Sequence, residues 1–190
     1  MRPLVTLTSS VAGLMMILVG TLMPSGLLIP GEDFSTKVLS LPSTWQVPAL
    51  LLTALVCGPN AGVIASVAYI TIGLFQLPVF HGGGTLDYLF TPGFGFLVGF
   101  IPAAWLTGRL ANQAGMNNLP RLTLSAVAGL MALQACGVLN LIFGSLMIRW
   151  SNPLPELLFT YTLAPLPAQL SLCACVGLIA IPLRKLLLIK

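Results

Sequence analysis

From Gln76 to Gly95 the chain reads Q-L-P-V-F-H-G-G-G-T-L-D-Y-L-F-T-P-G-F-G, which sets the only histidine beside three consecutive glycines, an aspartate and a tyrosine. Gly82, Gly83 and Gly84 cannot sustain a helix and adopt positive φ freely, so backbone here can approach a ligand closely and offer it N–H groups. His81, Asp87 and Tyr88 flank that loop as candidate polar contacts. On spacing alone, a turn with these side chains in water is the alternative. A phosphate-binding loop would need a following G-K-[ST], which the chain lacks. The chemistry on offer is binding. With one histidine, no H-E-x-x-H and no acid inside an apolar run, the sequence assembles neither a metal site nor an acid/base pair. Cys57, Cys136, Cys173 and Cys175 all fall within apolar runs, and the C-x-C pair points to different sides of a helix; these are small packing residues.

The elements that must position this loop are membrane-spanning. Hydrophobic residues make up 57% and charged residues 6% of the chain, against roughly 45–50% and about 25% in soluble domains, so no water-facing surface can be built. Six apolar spans are expected, at Leu4 to Met23, Thr44 to Cys57, Ala61 to Leu77, Pro92 to Gly108, Leu122 to Ile148 and Pro165 to Leu183. They form one all-α membrane domain over residues 1–190. An even count returns both termini to one side. That side then holds Arg2, Arg109, Arg121, Arg184, Lys185 and Lys190, while the other holds Lys37 and Arg149 with Glu32, Asp33, Asp87 and Glu156. Because Lys and Arg mark cytoplasmic loops, both termini are expected in the cytoplasm of a multi-pass plasma-membrane protein, with the acid-bearing loops outside. The same bias accounts for the net charge of +4, so no nucleic-acid partner is expected. The first span, about 20 residues long and followed by Met23-Pro24-Ser25, is longer than a signal h-region and lacks an A-x-A-like cleavage site; it reads as a helix.

Spans two and three, joined by Cys57-Gly58-Pro59-Asn60, form a tight helical hairpin. Pro24 to Ser43 reads as a long outer loop. Pro165 and Pro167 interrupt the last apolar run, so the sixth helix is expected to restart near Pro165, leaving Leu157 to Leu163 against the membrane surface or folded over a pocket. Small residues recur four apart at Ser9/Gly13, Ala61/Ala65, Gly95/Gly99/Ala103 and Ala104/Gly108, which allows close helix approach within the chain; alternatively one such face, on the first span, docks another membrane protein. Gln46 lies in the first turn of span two, where its amide is either solvated or bonded to a ligand. Gln134 and Asn140 sit inside span five, where uncharged polar residues commonly join helices; Asn140 is carried as the candidate ligand contact.

Two stretches point to a family. Leu77-Pro78-Val79-Phe80 leading to the glycines, then Tyr88-Leu89, then Pro92-Gly93-Phe94-Gly95-Phe96-Leu97-Val98-Gly99-Phe100, resembles the A-G-G-x-G-G…Y-L-x-x-P-T-x-G-Y-L-x-G-F stretch of the BioY biotin transporters. Pro42-Ser43-Thr44-Trp45-Gln46 and Gly58-Pro59-Asn60-Ala61-Gly62 are similar to that family's P-x-T-x-Q and G-P-x-x-G segments. The resemblance covers nearly the whole chain. It implies the substrate-binding S component of an energy-coupling-factor (ECF) vitamin transporter: six helices, both ends cytoplasmic, and biotin held near the outer face. The implied partners are an ECF transmembrane coupling protein and two ATPase subunits, with no cofactor and no catalysis. One motif departs: where the family has P-G-D-x-x-K, this chain has Pro167-Ala168-Gln169-Leu170-Ser171-Leu172, with Gln169 at the acidic and Leu172 at the lysine position. Gln169 can accept a ureido N–H through its carbonyl and donate through its amide. The candidate ligand residues are therefore Gln46, His81, Gly82, Gly83, Gly84, Asp87, Tyr88, Asn140 and Gln169. Helix N-termini near Thr44, Pro92 and Pro165 are available to meet an anion without a lysine. An S component for another small vitamin, or a non-transporting membrane scaffold subunit, remains the alternative.

Overall fold

The computed structural model describes residues 2–30, 36–75, 79–80, 86–113, 115 and 118–187. Helices dominate: α1 (Arg2–Leu22), α2 (Gln46–Cys57), α3 (Pro59–Phe75), α4 (Phe94–Val98), α5 (Phe100–Ala111), α6 (Leu119–Leu146), α7 (Leu154–Leu158) and α8 (Leu166–Leu186). Among the described residues four helical stretches are long and apolar enough to cross a membrane, namely Pro3–Leu22, Phe94–Ala111, Leu119–Leu146 and Leu154–Leu186. The two shorter ones, α2 and α3, have 12 and 17 residues. The length of α2 has a physical reason. Every residue from Val47 to Val56 is buried, so this helix, apolar all round, is wrapped by its neighbours α1, α3, α5, α6 and α8 and meets little lipid.

The small residues pack within the chain. A Cβ on Gly99 would come within 2.9 Å of the Leu133 carbonyl, and one on Gly108 within 2.5 Å of the Pro59 nitrogen, so α5 lies backbone to backbone against α6 and the start of α3. On the first span, Gly13 is turned to Thr53 of α2 and Gly20 to the Trp45 carbonyl. Those glycines serve internal packing, whereas Leu4, Val5, Leu7, Met15 and Val19 form the exposed apolar face of α1. Gly58, between α2 and α3, has φ +87°, a backbone state that favours glycine and permits the tight hairpin. Cys173 is buried and its neighbour Cys175 exposed, on different sides of α8 as expected.

Three features differ from the sequence reading. The Pro24 to Ser43 segment, expected as a loop, is an antiparallel hairpin of β1 (Pro24–Pro30) and β2 (Thr36–Thr44), with Leu27 opposite Leu39 and Ile29 opposite Lys37. Its base is fixed by Trp45 N–H donating to the Met23 carbonyl at 3.1 Å and by Ser25 Oγ donating to the Ser43 carbonyl at 2.7 Å. Pro24, Pro30 and Pro42 lack ladder donors and mask the strands in sequence, but a two-stranded hairpin tolerates them at its ends and open edges. Second, the last helix restarts beside Pro165 as expected, at Leu166, but Leu157 to Leu163, expected as an apolar piece of the fifth loop, is itself helical. α7 runs into a π-helical turn over Phe159–Leu163, closed by Ala164 N–H donating to the Phe159 carbonyl at 2.8 Å, and α8 follows. The wide turn accommodates a proline that cannot donate. Third, Arg184, counted in sequence only as one of the cations on the side of the termini, is buried. One guanidinium nitrogen donates to the Leu55 carbonyl at 3.1 Å and the Ala111 carbonyl at 3.0 Å. It thereby caps the last turns of α2 and α5 from the far end of α8.

Candidate functional site

At the bundle end where α2, α4 and α8 begin lies a cavity of about 370 Å³. Its floor and walls are apolar: Phe80, Phe96, Leu97 and Phe100 with Leu133 of α6. Tyr88, on a 3-10 turn over Leu86–Phe90, and Tyr161, on the π-helical turn, add two phenol rings. The aromatic walls brace one another. Phe80 lies 4.7 Å from Tyr88 between ring centres, Phe96 stacks on Tyr161 at 6.2 Å, and Tyr69 behind the wall stacks on Phe100 at 6.1 Å. The stem of the β-hairpin contributes Pro24, Ser43 and Thr44. None of the described lining residues carries a formal charge. Burial raises the Tyr88 phenol above its ordinary pKa, with Tyr161 nearby acting the same way, so Tyr88 stays a neutral donor and acceptor at physiological pH.

Two amides supply the main polar contrast. Gln46, the first residue of α2, donates from Nε2 to the Tyr69 hydroxyl at 3.0 Å. That hydroxyl donates in turn to the Val79 carbonyl at 3.0 Å and also meets Thr21 Oγ1 at 3.1 Å. With its nitrogen held from behind, Gln46 keeps Oε1 as an acceptor for whatever enters. Gln169, in the first turn of α8, receives Gln134 Nε2 on its Oε1 at 2.8 Å, which leaves its own amide nitrogen as a donor. α2 starts without a side-chain cap, so its first N–H groups add to the donors at this end.

The structure therefore brings together Gln46, Tyr88 and Gln169 of the residues singled out in sequence. Asp87 is exposed on the 3-10 turn and does not line the cavity. Asn140 is also outside the lining; its Nδ2 donates to the Pro92 carbonyl at 3.2 Å and its side chain fills the space beside Gly95, which joins α6 to the start of α4. His81, Gly82, Gly83 and Gly84 lie outside the described residues. Leu172, at the position of the family's lysine, is buried. Sequence reading missed the supporting pair: Tyr69 behind Gln46, and Gln134 behind Gln169. It also missed the aromatic wall, whose signal was visible as Phe96 and Phe100 at helical spacing among glycines.

A larger groove of about 510 Å³ runs between α1, α2 and α8, lined by Met15, Met16, Val19, Met23 and Trp45. It presents almost no polar group, so it offers a polar ligand few hydrogen-bond partners, in contrast to the amide-bearing cavity.

The BioY family profile matches residues 5–188. The chain belongs to the BioY family. Among relatives, a biotin transporter BioY of Thermotoga maritima is 34% identical over 120 residues, covering 63% of this chain and 70% of that one. An uncharacterized 21.2 kDa protein of Cyanophora paradoxa is 28% identical over 156 residues, covering 82% and 81%. In fold the chain is similar to the crystal structure at 2.1 Å of the S-component for biotin from an ECF-type ABC transporter, with TM-score 0.74, 21% identity, and coverage of 97% of this chain and 93% of that one. The BioY assignment thus agrees with the sequence motifs, and the match to a solved S-component supports the helical arrangement around the cavity.

Proposed function

We propose that this protein is the substrate-binding membrane subunit for biotin uptake, which captures biotin in the cavity between Gln46 and Gln169 and releases it to the cytoplasm. The observation that carries the reading is the pairing of an acceptor amide, Gln46, with a donor amide, Gln169, in an otherwise aromatic and aliphatic cavity. Biotin offers the complement: N–H donors and a carbonyl on its ureido ring, and an apolar thioether ring for the aromatic walls. Membership of the BioY family and the names of its relatives support the same ligand. The role is transport, and these 190 residues hold no Walker motif. The energy for release comes from an ECF module, a transmembrane coupling protein with two ATPase subunits.

In this reading the chain crosses the plasma membrane six times, with the fully wrapped α2 and its partner α3 as the two short crossings. Gln169 and Arg184 sit at opposite ends of α8, and Arg184 caps the ends of α2 and α5, so these helices run the same way, from the cavity to the far side. The excess of cations at the Arg184 end supports a cytoplasmic location for it and an outward-facing cavity. In a cysteine-free background, Asp87→Cys should be labelled by an impermeant thiol reagent in intact cells and Lys190→Cys protected. The opposite pattern would invert the topology.

Isothermal titration of the purified protein in detergent against biotin and a panel of small vitamins tests the ligand. Heat is expected for biotin alone. Heat from a different vitamin and none from biotin would reassign the substrate while leaving the S-component fold in place, an outcome that the Gln169 and Leu172 departures make informative. Binding of no vitamin by folded protein would favour a scaffold subunit.

A further inference from the structure

We infer that Gln134, which does not line the cavity, is a positioning residue that holds the Gln169 amide nitrogen toward the ligand and so selects for a carbonyl, against a donor group, at that wall. This inference rests on the biotin-binding reading above. Gln134 is only 4% exposed, on α6 beside Leu133, and it donates from Nε2 to Gln169 Oε1 at 2.8 Å. Its own Oε1 is buried with no partner among the described residues. The contact by itself admits the reverse arrangement, in which both amides turn over and Gln169 Nε2 donates to Gln134. That arrangement would put the Gln134 NH2 group in the buried position now held by an oxygen. Orphaned buried N–H groups are rarer than under-satisfied carbonyls, and an amide carries two such hydrogens. The buried end of Gln134 therefore decides the polarity of Gln169 before any ligand arrives.

Gln46 is oriented by the same kind of device with the opposite result. The Tyr69 hydroxyl gives its hydrogen to the Val79 carbonyl, so it can only accept from Gln46, and Gln46 must show its oxygen. The two residues outside the lining, Tyr69 and Gln134, thus fix an acceptor on α2 and a donor on α8. A cyclic urea satisfies both. A cyclic guanidinium of the same shape, as in 2-iminobiotin, puts a donor against the Gln169 donor and leaves both unpaired, a mismatch that polar sites reject strongly.

Titration of biotin and 2-iminobiotin, both at neutral pH, into wild type, Gln134→Met and Gln134→Leu tests this. Neither variant changes the charge of the site, and each removes a buried acceptor that has no partner among the described residues, so the fold is expected to survive; the leucine variant serves if the methionine one misfolds. Wild type should prefer biotin by well over tenfold. In the variants Gln169 is free to turn, and the preference should narrow by about tenfold, mostly through better 2-iminobiotin binding. A merely structural Gln134 would weaken both ligands alike and leave the ratio unchanged, which would overturn the inference. If wild type binds biotin and the ratio does not move, only the role of Gln134 fails. If wild type binds no biotin, the underlying reading fails and this inference with it.

Discussion

Replacing Gln46 and Gln169 together with alanine is expected to reduce biotin affinity by about thirtyfold to more than ten-thousandfold. Each substitution leaves one ligand polar group without a partner inside a cavity walled by Phe80, Phe96 and Phe100, where water reaches it poorly. An unsatisfied buried donor or acceptor costs about 1–3 kcal/mol, so two cost about 2–6 kcal/mol. The single variants should each lose about fivefold to 150-fold. Their effects need not add, because one ligand ring bridges both amides. Stability is a separate readout, since neither amide belongs to the buried core around α2. Melting temperatures close to wild type alongside the lost affinity are expected; an affinity within threefold of wild type for the double variant would mean that the ring binds elsewhere.

The carboxylate end of biotin is the second test, because no cation lines the described cavity and Leu172 stands where the family has lysine. Backbone donors of the glycine loop at Gly82 to Gly84, together with the uncapped start of α2, are proposed to meet it. Gly83→Pro removes one N–H and restricts the loop, and a backbone donor cannot be replaced by a neighbouring side chain. The loss of one charge-assisted hydrogen bond is worth about 1.5–3 kcal/mol, which is roughly tenfold to over a hundredfold in affinity. His81→Ala should change affinity far less. Biotin should also bind more tightly than its neutral amide. Equal affinities for acid and amide, or a collapse on His81→Ala with Gly83→Pro tolerated, would move the carboxylate to another part of the site.

Much of this architecture was legible in the sequence because the bilayer leaves few choices. A run such as Leu122 to Ile148 has to be largely a helix, since nothing else satisfies its backbone in lipid, and small residues four apart, such as Gly95, Gly99 and Ala103, announce close packing. Gln46 was legible through its position at a helix start in a recognisable motif. The hairpin over Pro24–Thr44 was not, because its prolines and glycines are read locally as breakers and hide the pairing. The roles of Tyr69 and Gln134 were hidden for another reason. Tyr69 meets Gln46 across 23 positions and Gln134 meets Gln169 across 35, so neither contact leaves a local pattern. Composition inside an apolar span marks Gln134 as a helix-joining residue, which it is; that it also bonds an amide lining the cavity is seen only in the packing of α6 against α8. Asn140 shows the reverse. It was the more attractive ligand candidate in sequence, yet its side chain is taken up by the Pro92 carbonyl.

A structure of the protein with biotin bound tests the account most directly. The prediction is a ureido ring enclosed by Phe96, Phe100 and Tyr88, with a ring N–H within hydrogen-bond distance of Gln46 Oε1 and the carbonyl oxygen within the same distance of Gln169 Nε2. Biotin seated in the apolar groove between α1, α2 and α8, or turned so that its carboxylate and not its ring meets Gln169, would contradict it.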